Sequence, residues 1–273
     1  MRVMSAPVIT FLSDYGLADH FVGVCHAVIA GICPDARIID LSHGIPRHNA
    51  RAGALTLRGA LPYTPVGVHV AVVDPDVGAE RRAVALQTAD GRILVGPDNG
   101  VLMLAAEFAG GVVEAVDIAH SPFRLEPVSA TFHGRDIFAA VAARLAAGAR
   151  IADAGTPIDP ADLITLDLPR PRREADELVA HVVYVDRFGN VALDAGHDDL
   201  PESGLKLGRG VELSLRADER IEGQFVRTFA DVEPGAPLLY EDADRRLALA
   251  ISHGDAAATF RLGLDDELRI RPA

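Results

Sequence analysis

One loop of the sequence carries a carboxylate and a guanidinium that could act together on a substrate. Asp74 directly follows an apolar run, and Arg81 returns later in the same segment, VDPDVGAERR, residues 73–82. If this loop folds back on itself, Arg81 pairs with Asp74 and stabilises the negative carboxylate inside a cleft. The alternative is a surface loop with solvated charges, and the spacing alone favours neither.

A histidine stands at the start of the strongest helical pattern in the chain. His133 lies in TFHGRD, residues 131–136, at the head of an amphipathic run over residues 135–147 that predicts a helix. The dipole at a helix N-terminus disfavours the cationic form of histidine. A neutral imidazole there could orient or deprotonate a water molecule. Taken alone, His133 is better interpreted as a capping or packed residue.

A further polar cluster, DRFGN, occupies residues 186–190. Asp, Gly and Asn all favour turns, so a hairpin turn is the simplest interpretation. The same residues also suit a nucleoside, because Phe188 offers a stacking face and the Asn190 amide can both donate to and accept from adenine.

These residues depend on an alternation of strands and helices that extends to about residue 165. Strand-like runs at 8–12, 36–41 and 66–73 alternate with helical runs, and a hairpin follows them. This order predicts an α/β layered domain with a mostly parallel sheet. Ligands bind beyond the carboxyl ends of such strands. One rim should therefore gather the polar residues that follow them, which are Asp14, Ser42, His43, Asp74, Asp98 and Asn99.

The pattern changes after a charged, proline-containing segment at residues 166–177, which we interpret as a linker or domain edge. Short β-type runs separated by Gly and Asp turns follow it, without a long helix. Such a series predicts a small β-barrel or sandwich. We therefore expect an α/β domain over residues 1–168 and an all-β barrel domain over residues 175–273.

Composition excludes several classes of protein. The 273 residues include 39 acidic and 26 basic side chains, and a net charge of −13 does not suit a phosphate backbone. The single lysine, Lys206, lies between two leucines and cannot complete a Walker A loop. Cys25 and Cys33 have neither zinc-ribbon spacing nor a disulfide framework. With no signal peptide and no long apolar run, we expect a cytoplasmic protein without nucleic-acid or membrane partners.

Five segments in order resemble one family. They are SDYGLAD (13–19), VVDPDVGAERR (72–82), GPDNG (96–100), TFHGRDIF (131–138) and DRFGN (186–190). Together they are similar to the S-adenosylmethionine hydroxide adenosyltransferases, whose relatives are the fluorinase and chlorinase enzymes. The resemblance covers nearly the whole chain. It implies a catalytic α/β domain, a nucleoside-binding β-barrel, and a homotrimer with each site shared between the first domain of one subunit and the second domain of a neighbour.

The resemblance also assigns residues position by position. It implies hydrolysis of S-adenosyl-L-methionine to adenosine and L-methionine by in-line attack of water at C5′, with no cofactor and no metal. The catalytic set falls on Asp74, Arg81 and His133. Asp14 matches a residue that holds the ribose hydroxyls, Asp186 one near the methionine amine, and Asn190 one that reads adenine. The remaining substrate-binding positions are Asp19, Phe188 and Phe229.

Two departures from the family pattern concern charge. Asp76 stands where the family usually has glycine, which adds a second carboxylate near Asp74. The segment EDADR, residues 241–245, replaces an Asn-Ser pair that often precedes a glycine. The second departure bears on how the methionine carboxylate is held.

Three other functions fit parts of the pattern. A halogenase would need a dry halide pocket, where a negative Asp74 would repel the anion. A metal-dependent hydrolase could use hard ligands from Asp14, Asp19, Asp98 and His133. A non-catalytic adenosine-binding module would keep Asp14 and Asn190 without needing the catalytic set.

Overall fold

The computed structural model describes residues 6–216 and 219–273 and divides into two compact units, with the boundary between Leu166 and Asp167. Residues 1–5, part of the opening segment in which we predict no signal peptide, lie outside the described residues. Within the described part of the chain, no helix combines the length and the apolar character that crossing a membrane requires.

The first unit is built on a sheet of seven strands. They are β1 (Val8–Ser13), β2 (Arg37–Ser42), β3 (Val68–Val72), β4 (Ala83–Thr88), β5 (Ile93–Pro97), β6 (Val112–Asp117) and β7 (Thr156–Pro157). The α-helices are α1 (Phe21–Ile32), α2 (Ala50–Ala60), α3 (Met103–Phe108) and α4 (Ala140–Ala146), and a π-helical segment spans Gly134–Ala139. Short 3₁₀ turns occupy Leu61–Tyr63, Ile151–Asp153 and Pro160–Asp162.

Strand direction in this sheet brings the predicted rim together. The spatial order is β2-β1-β3-β5-β4-β6-β7. The neighbours β2, β1, β3 and β5 are parallel, whereas the pairings β5–β4, β4–β6 and β6–β7 are antiparallel. The sheet is therefore mixed, with only β4 and β7 running against the other strands. Because the four parallel neighbours end at one edge, the polar residues that follow them share that edge.

Alternation along β1 distributes its side chains between two helical layers. Ile9 and Phe11 are buried in a cluster that also contains residues of α1 and α4. Leu12 faces α2, where a Cβ placed on Gly53 would lie 3.7 Å from the Leu12 side chain. Side chains of successive strand residues point to opposite faces, so a strand buried on both faces is apolar throughout.

The helix predicted over residues 135–147 differs from a regular α-helix in its first half. The chain is π-helical over Gly134–Ala139 and becomes α-helical only at Ala140. In this wider segment the Asp136 carbonyl accepts the Leu125 amide, and the Asp136 carboxylate accepts the Ser129 amide. Apolar spacing does not report such bonds to a neighbouring loop, and π-segments occur frequently at functional sites.

The second unit is a closed barrel. Its strands are β8 (Arg172–Glu174), β9 (Glu177–Val185), β10 (Val191–Gly196), β11 (Arg209–Arg216), β12 (Glu219–Phe225), β13 (Pro237–Glu241), β14 (Arg246–Ile251) and β15 (Glu267–Pro272). Pairing of β10 with β9 closes the order β10-β14-β13-β12-β11-β15-β9 into a ring. Short helices are α5 (Leu200–Ser203) and α6 (Ala256–Phe260), and 3₁₀ turns occupy His197–Asp199 and Phe229–Asp231.

The barrel interior is filled by alternate residues of its strands. Val182, Leu193, Leu213, Leu249 and Ile270 are all buried in one apolar cluster. The predicted α/β domain followed by an all-β barrel is thus confirmed. Part of the segment interpreted as a linker is ordered differently, because β8 pairs with β9 in the second unit.

Candidate active site

The loop after β3 folds back on itself and pairs its two charges. Arg81 Nε donates to Asp74 Oδ1 at 2.8 Å, and Arg81 Nη2 donates to Asp74 Oδ2. Both side chains are nearly buried, with 5% of Asp74 and 9% of Arg81 exposed. This is the paired arrangement, and the alternative of a surface loop with solvated charges is wrong.

Gly78 allows this loop to turn close against another segment. Its φ of +84° lies in the left-handed region, and a Cβ there would approach the Ala130 carbonyl oxygen to 2.6 Å. A side chain at this position would be strained and would collide with backbone. The close approach places the Asp74–Arg81 loop beside the segment that leads to His133.

His133 completes a three-residue cluster. Its Nδ1 lies 3.1 Å from Arg81 Nη2, and an arginine can only donate, so Nδ1 is the acceptor. Burial, and then the positive charge of Arg81, lower the pKa of His133 below its ordinary value. The imidazole is therefore neutral at pH 7 and carries its proton on Nε2. The Arg81 guanidinium also lies 5.3 Å from the centre of the Phe138 ring, a cation–π distance.

A small pocket of about 110 Å³ opens beside this cluster. It is lined by Asp14, Tyr15, Phe21, Asp74, Val77, Thr131, Phe132, His133 and Gly134. Pockets that enclose a whole drug-sized ligand measure about 300–1,000 Å³, so this one has room only for part of a nucleoside. Two larger cavities of about 560 and 630 Å³ are lined by other parts of the described chain and by none of the predicted site residues.

Two aromatic residues of this pocket were missed among the candidate site residues. Tyr15 follows Asp14 in the SDYGLAD segment, and Phe21 begins α1. Burial is the main cause that raises the pKa of Tyr15 well above its usual value, so the phenol stays protonated. Gly134 is needed beneath it, because an added Cβ would overlap the Tyr15 hydroxyl. Tyr15 lies inside the SDYGLAD motif and Phe21 just beyond it, and this closeness in sequence is the signal that could have identified them.

The two acidic residues of the first motif lie in different environments. Asp14 lines the pocket, and its Oδ2 accepts the His48 amide at 3.0 Å. Asp19 is exposed and is absent from the residues that line the pocket. Asp76, the additional carboxylate of the Asp74 loop, is also exposed.

Asp98 and Asn99, which follow β5, form hydrogen bonds with neighbouring segments and do not line the pocket. Asp98 is buried, accepts Arg82 Nε at 2.7 Å and accepts the Ile164 amide at 2.9 Å. The Asn99 side chain donates to the Val73 carbonyl at 2.8 Å. Asp98 is thus held away from the pocket and does not join Asp14 and His133 in one set of ligands.

In the second unit, DRFGN forms the turn between β9 and β10. Asp186 Oδ1 accepts the amides of Phe188 and Asn190 at 2.8 and 2.9 Å, and its Oδ2 accepts Asn190 Nδ2 at 2.8 Å. The hairpin turn interpretation therefore holds. Phe188 remains 68% exposed, so its ring is free of the barrel core.

Phe229 lies on the same unit in a 3₁₀ turn and packs against Tyr240, with the ring centres 4.9 Å apart. Burial, with a contribution from the negative charge of Asp186, raises the pKa of Tyr240 to about 12.

The divergent EDADR segment forms a turn between β13 and β14. Asp242 Oδ1 accepts the amides of Asp244 and Arg246 at 2.8 and 2.9 Å. Glu241 pairs with His197 at 2.7 Å. Asp242 thus stabilises the turn itself, whereas Glu241 binds a histidine outside it.

The comparisons with known proteins cover nearly the whole chain. The model of the SAM hydroxide adenosyltransferase N-terminal domain matches residues 9–155, and that of the C-terminal domain matches residues 180–269. An (R)-S-adenosyl-L-methionine hydrolase from Salinispora tropica is 48% identical over 97% of this chain and 97% of its own.

More distant relatives also match over nearly the whole chain. A fluorinase from Nocardia brasiliensis is 27% identical over 94% of each chain. A crystal structure of an uncharacterized conserved protein from Thermotoga maritima superposes with a TM-score of 0.89 at 34% identity, covering 96% of this chain and 99% of that one. With both domains matched in order, this chain belongs to the SAM hydroxide adenosyltransferase family.

Proposed function

We propose that this protein hydrolyses S-adenosyl-L-methionine to adenosine and L-methionine. The observation that carries the proposal is the cluster of the nearly buried Asp74–Arg81 pair with the half-buried His133 at the edge of a pocket. Two relatives are named (R)-S-adenosyl-L-methionine hydrolase at 48% and 46% identity, and those names specify the R form of the substrate.

The hydrogen bonds give the groups of the cluster different roles. His133 Nδ1 accepts from Arg81, so its Nε2–H is the group that can donate to the oxygen of a bound water molecule. Asp74 then takes the proton of that water, because carboxylate oxygens keep accepting capacity beyond the two bonds from Arg81. Arg81 holds both partners in place and is the fixed positive charge between them.

The chemistry requires little beyond this water. Attack at C5′ breaks the bond to the sulfonium sulfur, and the leaving methionine is a neutral thioether that needs no protonation. No leaving-group acid, metal or other cofactor is therefore needed. The reaction cancels charge as it proceeds, so a pocket that excludes water favours it.

The carboxylates around the pocket suit a cationic substrate. Asp14 and Asp74 both line it, and S-adenosylmethionine carries its positive charge on the atom next to C5′. A halide ion would meet the same carboxylates, which argues against halogenation. We assign the ribose hydroxyls to Asp14, the methionine amine to Asp186, and adenine to Asn190 with Phe188 and Phe229; Asp19 stays a predicted binding residue.

The direct test is incubation with separated R and S epimers of S-adenosylmethionine in the presence of EDTA. Adenosine and methionine should appear in equal amounts, and in ¹⁸O-labelled water the 5′-hydroxyl should carry the label. A 5′-halo-adenosine product in chloride buffer would identify a halogenase. Binding of adenosine without turnover would identify a binding module, and loss of turnover in EDTA at saturating substrate would identify a metal-dependent enzyme.

We further propose that the active form is a homotrimer, in which the binding residues of the second unit come from a neighbouring chain. At substrate concentrations well below KM, Asp74→Asn should be nearly inactive and Asn190→Ala impaired about tenfold, and mixing and reassembling the two should give more activity than the mean of the separate variants. A fully active monomer, or no such gain in verified mixed trimers, would contradict the shared site.

We also propose a reducing, cytoplasmic setting, which is supported by Cys25 and Cys33, both free thiols.

A further inference from the structure

A second cluster of chemically active side chains lies in the first unit, outside the pocket. His26 comes from α1, whereas Asp40 and His43 come from β2 and the residue just beyond it. Asp40 Oδ1 lies 2.9 Å from His26 Nε2 and 3.0 Å from His43 Nε2. The three possible ligand atoms, one from each residue, all lie within 4.8 Å of one another. None of the three residues lines the pocket beside Asp74.

His43 distinguishes this cluster from an ordinary surface group. Its side chain is 2% exposed, and its buried Nε2 has no hydrogen-bond partner among the described residues, although Asp40 Oδ1 lies 3.0 Å away. This distance is short enough for a hydrogen bond, so the orientation of the His43 ring is what prevents one. A buried imidazole nitrogen that faces a carboxylate without bonding to it is costly.

The other ring nitrogen of His43 already has a hydrogen-bond partner. Nδ1 lies 2.7 Å from Ser13 Oγ, and the Ser13 oxygen also accepts the Tyr15 amide. When Nδ1–H donates to Ser13 Oγ, Nε2 carries a lone pair, which can bind a cation held between it and the nearby donor atoms of Asp40 and His26. A metal-binding histidine almost always has such an outer partner, which sets the tautomer and the orientation of the ring.

Two arrangements can account for these distances. In the first, Asp40 Oδ1 accepts a hydrogen bond from each histidine, which requires a bond that the His43 ring does not make. In the second, a cation lies between the three donor atoms and satisfies His43 Nε2. Donor atoms around a tetrahedral zinc ion lie about 3.3 Å apart, slightly more than the two separations that involve Asp40 Oδ1, and the separation of the two imidazole nitrogens is within 4.8 Å.

We propose that His26, Asp40 and His43 form a binding site for a divalent transition metal of the Zn²⁺ class. Two imidazoles and one carboxylate suit Zn²⁺ and its neighbours, whereas Mg²⁺ and Ca²⁺ prefer oxygen ligands. Asp40 and His26 are partly exposed, which gives the ion a route from solvent and room for a water ligand. The His43 carbonyl accepts the Gly16 amide at 2.7 Å, so the metal would stabilise the turn that carries Asp14 without contacting the substrate.

The test is titration of untagged, chelator-treated protein with Co²⁺, followed by displacement with Zn²⁺. One Co²⁺ per chain should give visible absorption bands, and Zn²⁺ should remove them. His26→Gln and Asp40→Asn should each weaken Co²⁺ binding at least tenfold. His197→Gln is the matched control, because His197 also pairs with a carboxylate, Glu241, but outside this cluster.

Thermal unfolding of each variant without metal checks that it folds. Retention of stoichiometric binding in His197→Gln, together with its loss in folded His26→Gln and Asp40→Asn, supports the site. Absence of stoichiometric Co²⁺ binding, or equal binding in all variants, overturns it. Because the readout is metal binding, the outcome is independent of whether S-adenosylmethionine is hydrolysed.

Discussion

The Asp74 cluster and the DRFGN turn are both polar, but they are built in opposite ways. In the cluster, side chains bond to side chains, since Arg81 joins Asp74 of its own loop to His133, which lies far along the chain. In the turn, one side chain, Asp186, bonds to amides two and four residues later. Each group of the cluster therefore depends on the others, whereas the turn is a local structure that leaves Phe188 exposed.

Loss of the carboxylate in the cluster should have the largest effect. Asp74→Asn keeps the size of the side chain but removes the proton acceptor and the charge partner of Arg81. General-base contributions are typically 10²–10⁴-fold, so kcat should fall by about that factor while adenosine affinity is largely retained. Asp76→Asn, an exposed carboxylate in the same loop, is the control and should remain near wild type. Full activity of Asp74→Asn would refute the proposed mechanism.

Removal of the imidazole should have the next largest effect and should also change the pH profile. His133→Ala should lower kcat by about 10²-fold and leave nucleoside affinity largely intact. Because burial and Arg81 lower its pKa, His133 becomes protonated only below pH 6.5, where it can no longer accept from Arg81. Wild-type kcat/KM should therefore fall on the acid side below pH 6.5, and His133→Gln should lack that limb. An acid limb centred above pH 6.5 would contradict the assignment.

A buried polar pair elsewhere in the sheet, outside the proposed site, should affect the free energy of unfolding. Thr10 Oγ1 lies 2.9 Å from His69 Nδ1, and burial lowers the pKa of His69 to about 4. A histidine whose folded pKa is depressed contributes fully above its unfolded pKa of 6.5, and this contribution is lost as pH falls from 6.5 towards 4. The shift corresponds to about 3 kcal/mol of unfolding free energy.

Urea unfolding at several pH values measures this loss. His69→Asn keeps a polar partner for Thr10 and should make stability less dependent on pH between 6.5 and 4. The exposed residue His20 provides the control, and His20→Gln should retain the wild-type slope. Equal slopes in His69→Asn and wild type would show that His69 titrates normally.

The smallest effect is expected in the turn. Asn190→Ala removes the amide assigned to adenine and should raise KM by about tenfold, the loss of one or two hydrogen bonds, with little change in kcat. Lys206→Ala, an exposed substitution elsewhere in the second unit, should leave KM unchanged. If Asn190→Ala reduced kcat rather than raising KM, the turn would act on the reaction and the contrast with the cluster would fail.

The sequence was most informative where structure is local. Alternating strand and helix patterns predicted the α/β domain and the barrel because each element follows from its own periodicity and turn residues. DRFGN was recognisable as a turn for the same reason. The π-helical segment before α4 was not predictable, because it depends on bonds from Asp136 to residues of a preceding loop.

The sequence by itself determined which residues were available: a carboxylate after β3, an arginine later in the same loop, and a histidine ahead of a helix. It left open whether the loop charges were paired or solvated. The tertiary structure decided this, because Gly78 places the loop against Ala130 and Arg81 thereby reaches both Asp74 and His133. The same fold brought His26 of α1 to Asp40 and His43 of β2, a juxtaposition that spacing could not indicate. Contacts between distant segments depend on how layers pack, and that information is not carried by any one stretch of sequence.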